Sequence, residues 1–479
     1  MNVRLRSFNL LLPLILVLAS CSLSPDYSRP KMDVPVVYKE DGAWKPATAK
    51  LRNPEKWWLV FGDPLLNQLE EQLIVDNQNL KVAEAQYRSA RAALDASNAG
   101  LFPTLGLSAS ASRGTSSSVS STTTGVAPGN TLSFTNALSI SAQAAWELDL
   151  WGRIRSGIEA AGASLEASEG TLGAARLSAQ ALLAQSYFQL RSADAQAALL
   201  TRTVASYERF LQITLNRQSA GVASPLDAAQ AETQLNTART QLADMQLQRA
   251  QSEHAISVLI GKPPSALSIA PGSGLPAVPA TPSIVPSVTL ESRYDIYSAE
   301  RQAAAANAQI GVARAAYFPV VNLAANGGFS STDRIGLLSA PTRFWSIGPT
   351  LALNLFDAGA RTAAVSQSQA AYDQAVASYR QTVLTAFQEV EDNLAAARLL
   401  SDESVSQQAA LTAASKAREI SENQYRAGIV ASLNVITAQA SELNVESTSI
   451  TIWNRRMAAA VQLYKNLGGR SVAAPQAAK

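Results

Sequence analysis

Gln218-Ser219-Ala220-Gly221-Val222 and Tyr425-Arg426-Ala427-Gly428-Ile429 lie 207 residues apart and carry the same Ala-Gly-β-branched step. The spacing holds elsewhere. Gly261 and Gly468 are also 207 apart, Arg153 and Arg361 are 208 apart, and Phe102-Pro103 and Phe318-Pro319 are 216 apart. A fixed offset between several landmarks is the mark of an internal duplication. The longer offset at Phe-Pro assigns about eight extra residues to the first copy's Phe-Pro-to-Arg segment.

Each copy reads as helix, hairpin, long helix, helix. In the first, 65–262, Leu66, Leu69, Leu73, Leu80, Ala83 and Tyr87 follow helical spacing over 65–99, and Phe102-Pro103 stops the run. Residues 104–148 then alternate, with Leu105, Leu107, Ala109 and Ala111 against small or polar neighbours, and Leu138, Ile140 and Ala142 likewise. No charged residue stands between Arg113 and Glu147, and the Ser/Thr/Gly-rich stretch Gly114 to Asn130 reads as the hairpin loop. Residues 153–220 lack proline and carry a helical apolar stripe, predicting one helix of roughly 100 Å. Gly221 ends it, and Ser224-Pro225 opens a helix to residue 260. A Pro-rich linker covers 263–289. The second copy, 290–468, repeats the order: a helix to about 316, a charge-poor hairpin at 319–356, a long helix at 359–427 and a last helix at 433–467. Residues 469–479 form a tail.

The stripe Val365, Tyr372, Val376, Tyr379, Val383, Phe387, Val390, Leu394 and Ala397, with the skipped Ser368 counted as a step, takes nine steps over 32 residues, between a straight helix and a left-handed coiled coil. In copy one the two shorter helices together match the long one in length, as a cylinder wall of uniform height requires. Two hairpins give four strands whose lack of charge suits hydrocarbon. Four strands cannot close a barrel, and an open edge in lipid is not tolerated, so the chain must oligomerise; three copies give twelve strands. The expected fold is therefore mainly α with a membrane β-barrel: long helices forming an α-barrel tunnel, and four strands per chain entering a trimeric twelve-stranded barrel.

Composition narrows the function. The 479 residues include 39 basic and 37 acidic side chains, a near balance that argues against nucleic acid as partner. One Cys and one His exclude a disulfide framework and a Cys/His metal site. No phosphate-binding loop, zinc-protease or serine-hydrolase motif occurs, so neither catalytic residue nor cofactor is expected. Residues 1–20 read as a signal peptide: Arg4 and Arg6 precede an apolar Leu10–Ala19 run too short to span a bilayer. Leu18-Ala19-Ser20-Cys21 resembles a bacterial lipobox, which implies diacylglycerol and an N-acyl chain on Cys21, and Ser22 after it implies outer membrane sorting. Residues 21–64 would form a lipidated N-terminal arm. Without residues 1–20 the chain carries 37 charges of each sign.

Several segments together resemble the outer membrane factors of the TolC and OprM type, in the lipoprotein branch serving resistance-nodulation-division pumps. They are Trp57-Trp58 with Phe61-Gly62-Asp63-Pro64, Glu147-Leu148-Asp149-Leu150-Trp151-Gly152-Arg153, Gly221-Val222-Ala223-Ser224-Pro225-Leu226-Asp227, Asn354-Leu355-Phe356-Asp357-Ala358-Gly359 and Tyr425-Arg426-Ala427-Gly428. The resemblance implies a homotrimeric channel in the outer membrane of a Gram-negative bacterium. Its tunnel would reach into the periplasm and pass drugs or toxic compounds outward from an inner membrane pump and a periplasmic adaptor. It also implies a periplasmic constriction at Leu226, Asp227, Leu433, Asn434 and Thr437, behind the helix-turn glycines Gly221 and Gly428. Family members often carry Asp where Asn434 or Thr437 stands, so this chain is expected to be less cation-selective at its tip, or to carry the charge on Asp227. Tyr425 and Arg217 are candidate links holding the mouth shut. Tyr294 replaces a proline common in the family's Arg-Pro-Asp motif at Arg293-Tyr294-Asp295, and His254 is expected to be a packing or surface residue. The competing class is a periplasmic structural or adaptor lipoprotein of coiled-coil type.

Overall fold

The computed structural model describes residues 23–32, 38–40, 54–118, 131–272, 274–280, 293–333 and 336–467. The signal peptide, Cys21, Gly468 and the 469–479 tail lie outside the described residues.

The helices are α1 (Pro64–Asp76), α2 (Gln78–Ala99), α3 (Arg153–Ser219), α4 (Pro225–Leu259), α5 (Tyr294–Ala315), α6 (Ala360–Arg426) and α7 (Ser432–Leu467). The strands are β1 (Thr104–Ser118), β2 (Thr131–Leu148), β3 (Val320–Ser331) and β4 (Arg343–Ala352). Both long helices, α3 and α6, have 67 residues. The expected single helix over 65–99 is two helices. Asn77 interrupts it: its Oδ1 accepts from Leu80 N and its Nδ2 donates to Leu259 O at 2.7 Å. An Asn side chain that caps the next helix competes with continued helix. The first strand runs to Ser118, taking in the first five residues of the stretch read as loop. The helix expected from 290 has its first described turn at Tyr294.

Two compact units divide the chain, and both repeats contribute to each. The first comprises Met1–Pro30, Arg88–Ala167 and Glu300–Ala377. It holds an antiparallel sheet of order β1-β2-β3-β4. β1 and β4 are its edges. The register pairs Ser108 with Ser141 and Ser110 with Ser139, and each pair shares a hydroxyl hydrogen bond, 2.9 and 2.8 Å. These serines mark one polar face. The opposite face runs in rows such as Leu105–Ala144–Ala325–Ile347 and Leu107–Ala142–Gly327–Trp345. Leu105, Leu107, Trp345, Ile347 and Leu351 are exposed on it. Asp149 joins sheet to helix by accepting from Ile154 N and Arg155 N at the start of α3, and Asp357 accepts from Gly359 N and Arg361 N at the start of α6. A hydrogen bond from Arg361 holds the Asp357 carboxyl below its ordinary value. The N-terminal arm lies on the helices of this unit: Asn307 Nδ2 donates to Pro25 O and Tyr27 Oη to Glu300 Oε1.

The second unit comprises Lys31–Tyr87, Ser168–Ala299 and Ser378–Lys479. Its core gathers Trp57, Trp58 and Phe61, with Leu66 and Leu73 of α1, Leu183, Tyr187 and Phe188 of α3, Ile256 of α4, and Met457 and Val461 of α7. Beside it runs a polar chain. Asp63 caps α1 through Leu65 N and accepts from Tyr187 Oη at 2.5 Å. Arg191 donates to Tyr187 Oη and to Asp194, and Asp194 also accepts from Arg249 Nε and Gly272 N. Burial and the Asp63 carboxylate keep the Tyr187 hydroxyl protonated well above its ordinary value. The segment after Pro263 is thus pinned. Arg191 and Arg249 donate to its Ala270 and Ile269 carbonyls, Trp453 to Pro276 O and Tyr464 to Ala280 O. Gly173 accommodates the Tyr294 ring, which a Cβ there would meet at 2.3 Å. Arg293 donates to Asp295 and Glu389.

Glu70 on α1 is fully buried, and neither carboxylate oxygen has a hydrogen-bond partner among the described residues. Burial raises it well above the ordinary carboxylate value of 4.5. The folded chain therefore holds this proton more tightly than the unfolded chain. Stability from this site is full below pH 4.5 and declines as pH rises toward the folded value. Glu70→Gln is expected to raise the thermal midpoint at pH 8 and to leave it unchanged at pH 4, measured by calorimetry on the purified oligomer. Gly173→Leu is expected to lower the midpoint at both pH values by displacing Tyr294.

Candidate functional site

The constriction and link residues singled out by sequence lie at or near the ends of the two long helices, within the second unit. α3 ends on Gly221 at φ 73° and α6 on Gly428 at φ 75°. Val222 N returns to Arg217 O and Gly221 N to Gln218 O; Ile429 N returns to Gln424 O and Gly428 N to Tyr425 O. This paired closure needs a left-handed residue, which glycine supplies without a Cβ clash.

The turns are equivalent by the 207-residue offset but differ chemically. In copy one Ser224 caps α4 by accepting from Leu226 N, and Asp227 Oδ2 accepts from Ser224 N at 2.8 Å, a complete capping box. In copy two the matching positions are Ala431 and Asn434, so that box is lost. Ser432 instead donates its hydroxyl to Asp227 Oδ1. One carboxylate thus serves both turns. Arg217 and Tyr425 meet as well: the guanidinium lies 4.5 Å from the ring centroid and donates to Tyr425 O at 3.0 Å. The Tyr425 ring also packs on Phe210, above Ala231 and Val435. Val222, Leu226, Ile429 and Leu433 are exposed, forming two equivalent apolar pairs. Asn434 and Thr437 are exposed, and the Thr437 hydroxyl donates back to Leu433 O on its own helix. His254 is exposed on α4. Cys21 lies outside the described residues.

Sequence reasoning missed Ser432, which no motif flags because its partner is 205 residues away. It also missed the polar chain from Asp63 to Arg249. Its signal was the Asp63-Pro64 step, which reads as a cap and conceals the second acceptor role.

A charge-poor sheet with two open edges, joined to helices of about 100 Å, defines the subunit of an oligomeric membrane channel. Among the described residues no helix is long and apolar enough to cross a membrane. The model of the outer membrane efflux protein family matches residues 69–262 and 285–469, one match per repeat. The probable efflux pump outer membrane protein TtgC of Pseudomonas putida is 33% identical over 456 residues, covering 95% of this chain and 93% of TtgC. The cation efflux system protein CusC of Escherichia coli K12 is 30% identical over 457 residues, 95% of this chain and 97% of CusC. Among solved structures, the outer-membrane channel OprN superposes with a TM-score of 0.86 at 30% identity, over 94% of this chain and 99% of that one.

The chain belongs to the outer membrane efflux protein family. It is an efflux channel subunit of the outer membrane and not an enzyme, and its barrel closes on trimerisation. The adaptor-lipoprotein alternative is not supported.

Asp227→Ala removes the capping box and the bond from Ser432 together. It is expected to cost about 1–2 kcal/mol, read as a lower thermal midpoint, while Asn434→Ala leaves the midpoint within error.

Proposed function

We propose that the turns at Gly221 and Gly428 form the periplasmic mouth of the trimer, closed by Leu226, Asp227, Leu433, Asn434 and Thr437 and latched by Arg217 on Tyr425. A resistance-nodulation-division pump in the inner membrane, through a periplasmic adaptor, delivers cargo to this mouth. The exposed pairs Val222/Leu226 and Ile429/Leu433 carry the reading, because paired apolar side chains at a helix end are the kind of surface a partner covers. The Arg217–Tyr425 contact supports a latch: it joins the ends of the two long helices through a ring stack and a hydrogen bond. Diacylglycerol and an N-acyl chain on Cys21 hold the chain to outer membrane lipid. TtgC is named for an efflux pump and CusC for cation efflux, so cargo is set by the pump and not by the tunnel.

The test is complementation. Expressed with its pump and adaptor in a strain lacking its own outer membrane efflux channel, the chain is expected to restore drug resistance. Val222→Asp with Ile429→Asp is expected to abolish resistance while leaving heat-modifiable trimers. Resistance unaffected by that pair would refute the docking role. In planar bilayers, Arg217→Ala with Ser432→Ala is expected to raise single-channel conductance several-fold. Asp227→Asn is expected to reduce the remaining cation preference, and a strongly cation-selective pore indifferent to it would refute the charge assignment.

A further inference from the structure

The apolar face of the sheet carries two charges. Among the described residues of β1–β4 the charged side chains are Arg113, Glu147 and Arg343. Glu147 lies on the other face, in line with Ser139 and Ser141, and pairs with Arg153 at 2.7 Å. Arg113 and Arg343 lie on the apolar face. Arg113 is in register with Asn136, and Arg343 ends the row Ala109–Ile140–Phe329–Arg343. Both are exposed, and neither forms an ion pair among the described residues. The Arg113 guanidinium rests 5.2 Å from the Phe134 ring centroid, an aromatic on the same face.

Their heights agree. Arg113 stands eight residues from Leu105 and Arg343 eight residues from Leu351, the first apolar-face residues of β1 and β4 at the helix-bearing end. Eight residues of strand span about 27 Å, and a barrel tilt of 35–45° reduces that to about 20 Å along the membrane normal. An apolar band of about 25 Å separates the two interfaces, so each backbone position falls about 5 Å short of the far interface, a gap that the long arginine side chain spans by snorkelling to the headgroup level at the end away from the helices. Closure also brings them together. β1 and β4 are the two free edges, so each seam of the trimer sets the Arg113 strand of one copy beside the Arg343 strand of the next.

We propose that each seam is a binding site for the phosphate group of an outer-leaflet membrane lipid, held between Arg113 of one protomer and Arg343 of its neighbour. Two cations that form no ion pair among the described residues match a phosphate in charge. The guanidinium fork matches it in geometry, offering paired donors to two phosphate oxygens. An ionisable residue on a lipid-facing surface is costly unless it reaches such a partner. The membrane setting rests on the channel reading above.

The experiment uses the full-length trimer and native mass spectrometry. Three arms are compared: diphosphoryl lipid A, the same lipid with its phosphates removed, and diphosphoryl lipid A competed with millimolar inorganic phosphate. The trimer is expected to retain up to three diphosphoryl lipids and to discriminate against the dephosphorylated form. Each of Arg113→Gln and Arg343→Gln is expected to weaken retention roughly fivefold, the effect of about one basic residue at a membrane surface. Inorganic phosphate is expected to compete poorly, since the acyl chains hold the lipid; full displacement by it would overturn the assignment to lipid. Equal retention of both lipids by the unmodified protein, or intact trimers of the double variant that still discriminate, would also overturn it. Loss of trimers from the unmodified protein in every lipid would instead strike the channel reading.

Discussion

Two unpaired strand edges govern this molecule. β1 and β4 each present a row of backbone donors and acceptors with no strand partner among the described residues. In water such an edge is a liability; in hydrocarbon it is prohibitive, because nothing there replaces the missing hydrogen bonds. The four strands therefore commit the chain to assembly before any function is possible. The rest follows from that commitment. Each strand continues at its helix-bearing end into a helix, so closing the sheet in a ring also sets the helices that follow it in a ring.

The duplicated architecture was legible because its signals are local or periodic. Gly221 and Gly428 announce themselves as left-handed helix ends, the hairpins by alternation and missing charge, and the long helices by unbroken stripes. What escaped was long-range or dual-purpose. Asn77 sits inside a continuous apolar pattern, and only its bond to Leu259 makes the break worthwhile. Asp227 was readable as a first-turn acid, and it is one, but its second oxygen serves the other repeat through Ser432. Asp63 behaves alike, capping α1 with one oxygen and accepting a hydrogen bond from the Tyr187 hydroxyl with the other. Carboxylates with two acceptors can belong to two structures at once, and sequence spacing reveals only the nearer.

The Pro-rich segment after residue 263 shows the same limit. Its composition excludes a regular helix but does not say whether it hangs free. The structure ties its carbonyls and amides to Arg191, Asp194, Arg249, Glu253, Trp453 and Tyr464, all on helices that pack around it. Fixing a segment with few internal hydrogen bonds requires donors brought from elsewhere. The buried side chain of Asp194, holding two arginines and a backbone amide, organises them.

The two turns share a backbone and not a cap: a complete Ser-Asp box stands at one, and Ala431 with Asn434 at the other. Around a threefold ring these alternate, so the proposed mouth would have six similar ends but only threefold chemistry. Any circle of molecules seated on it meets two kinds of berth in alternation, one stiffened by its own cap and one borrowing a neighbour's oxygen. A sixfold partner must then either tolerate both or arrange itself as three unlike pairs.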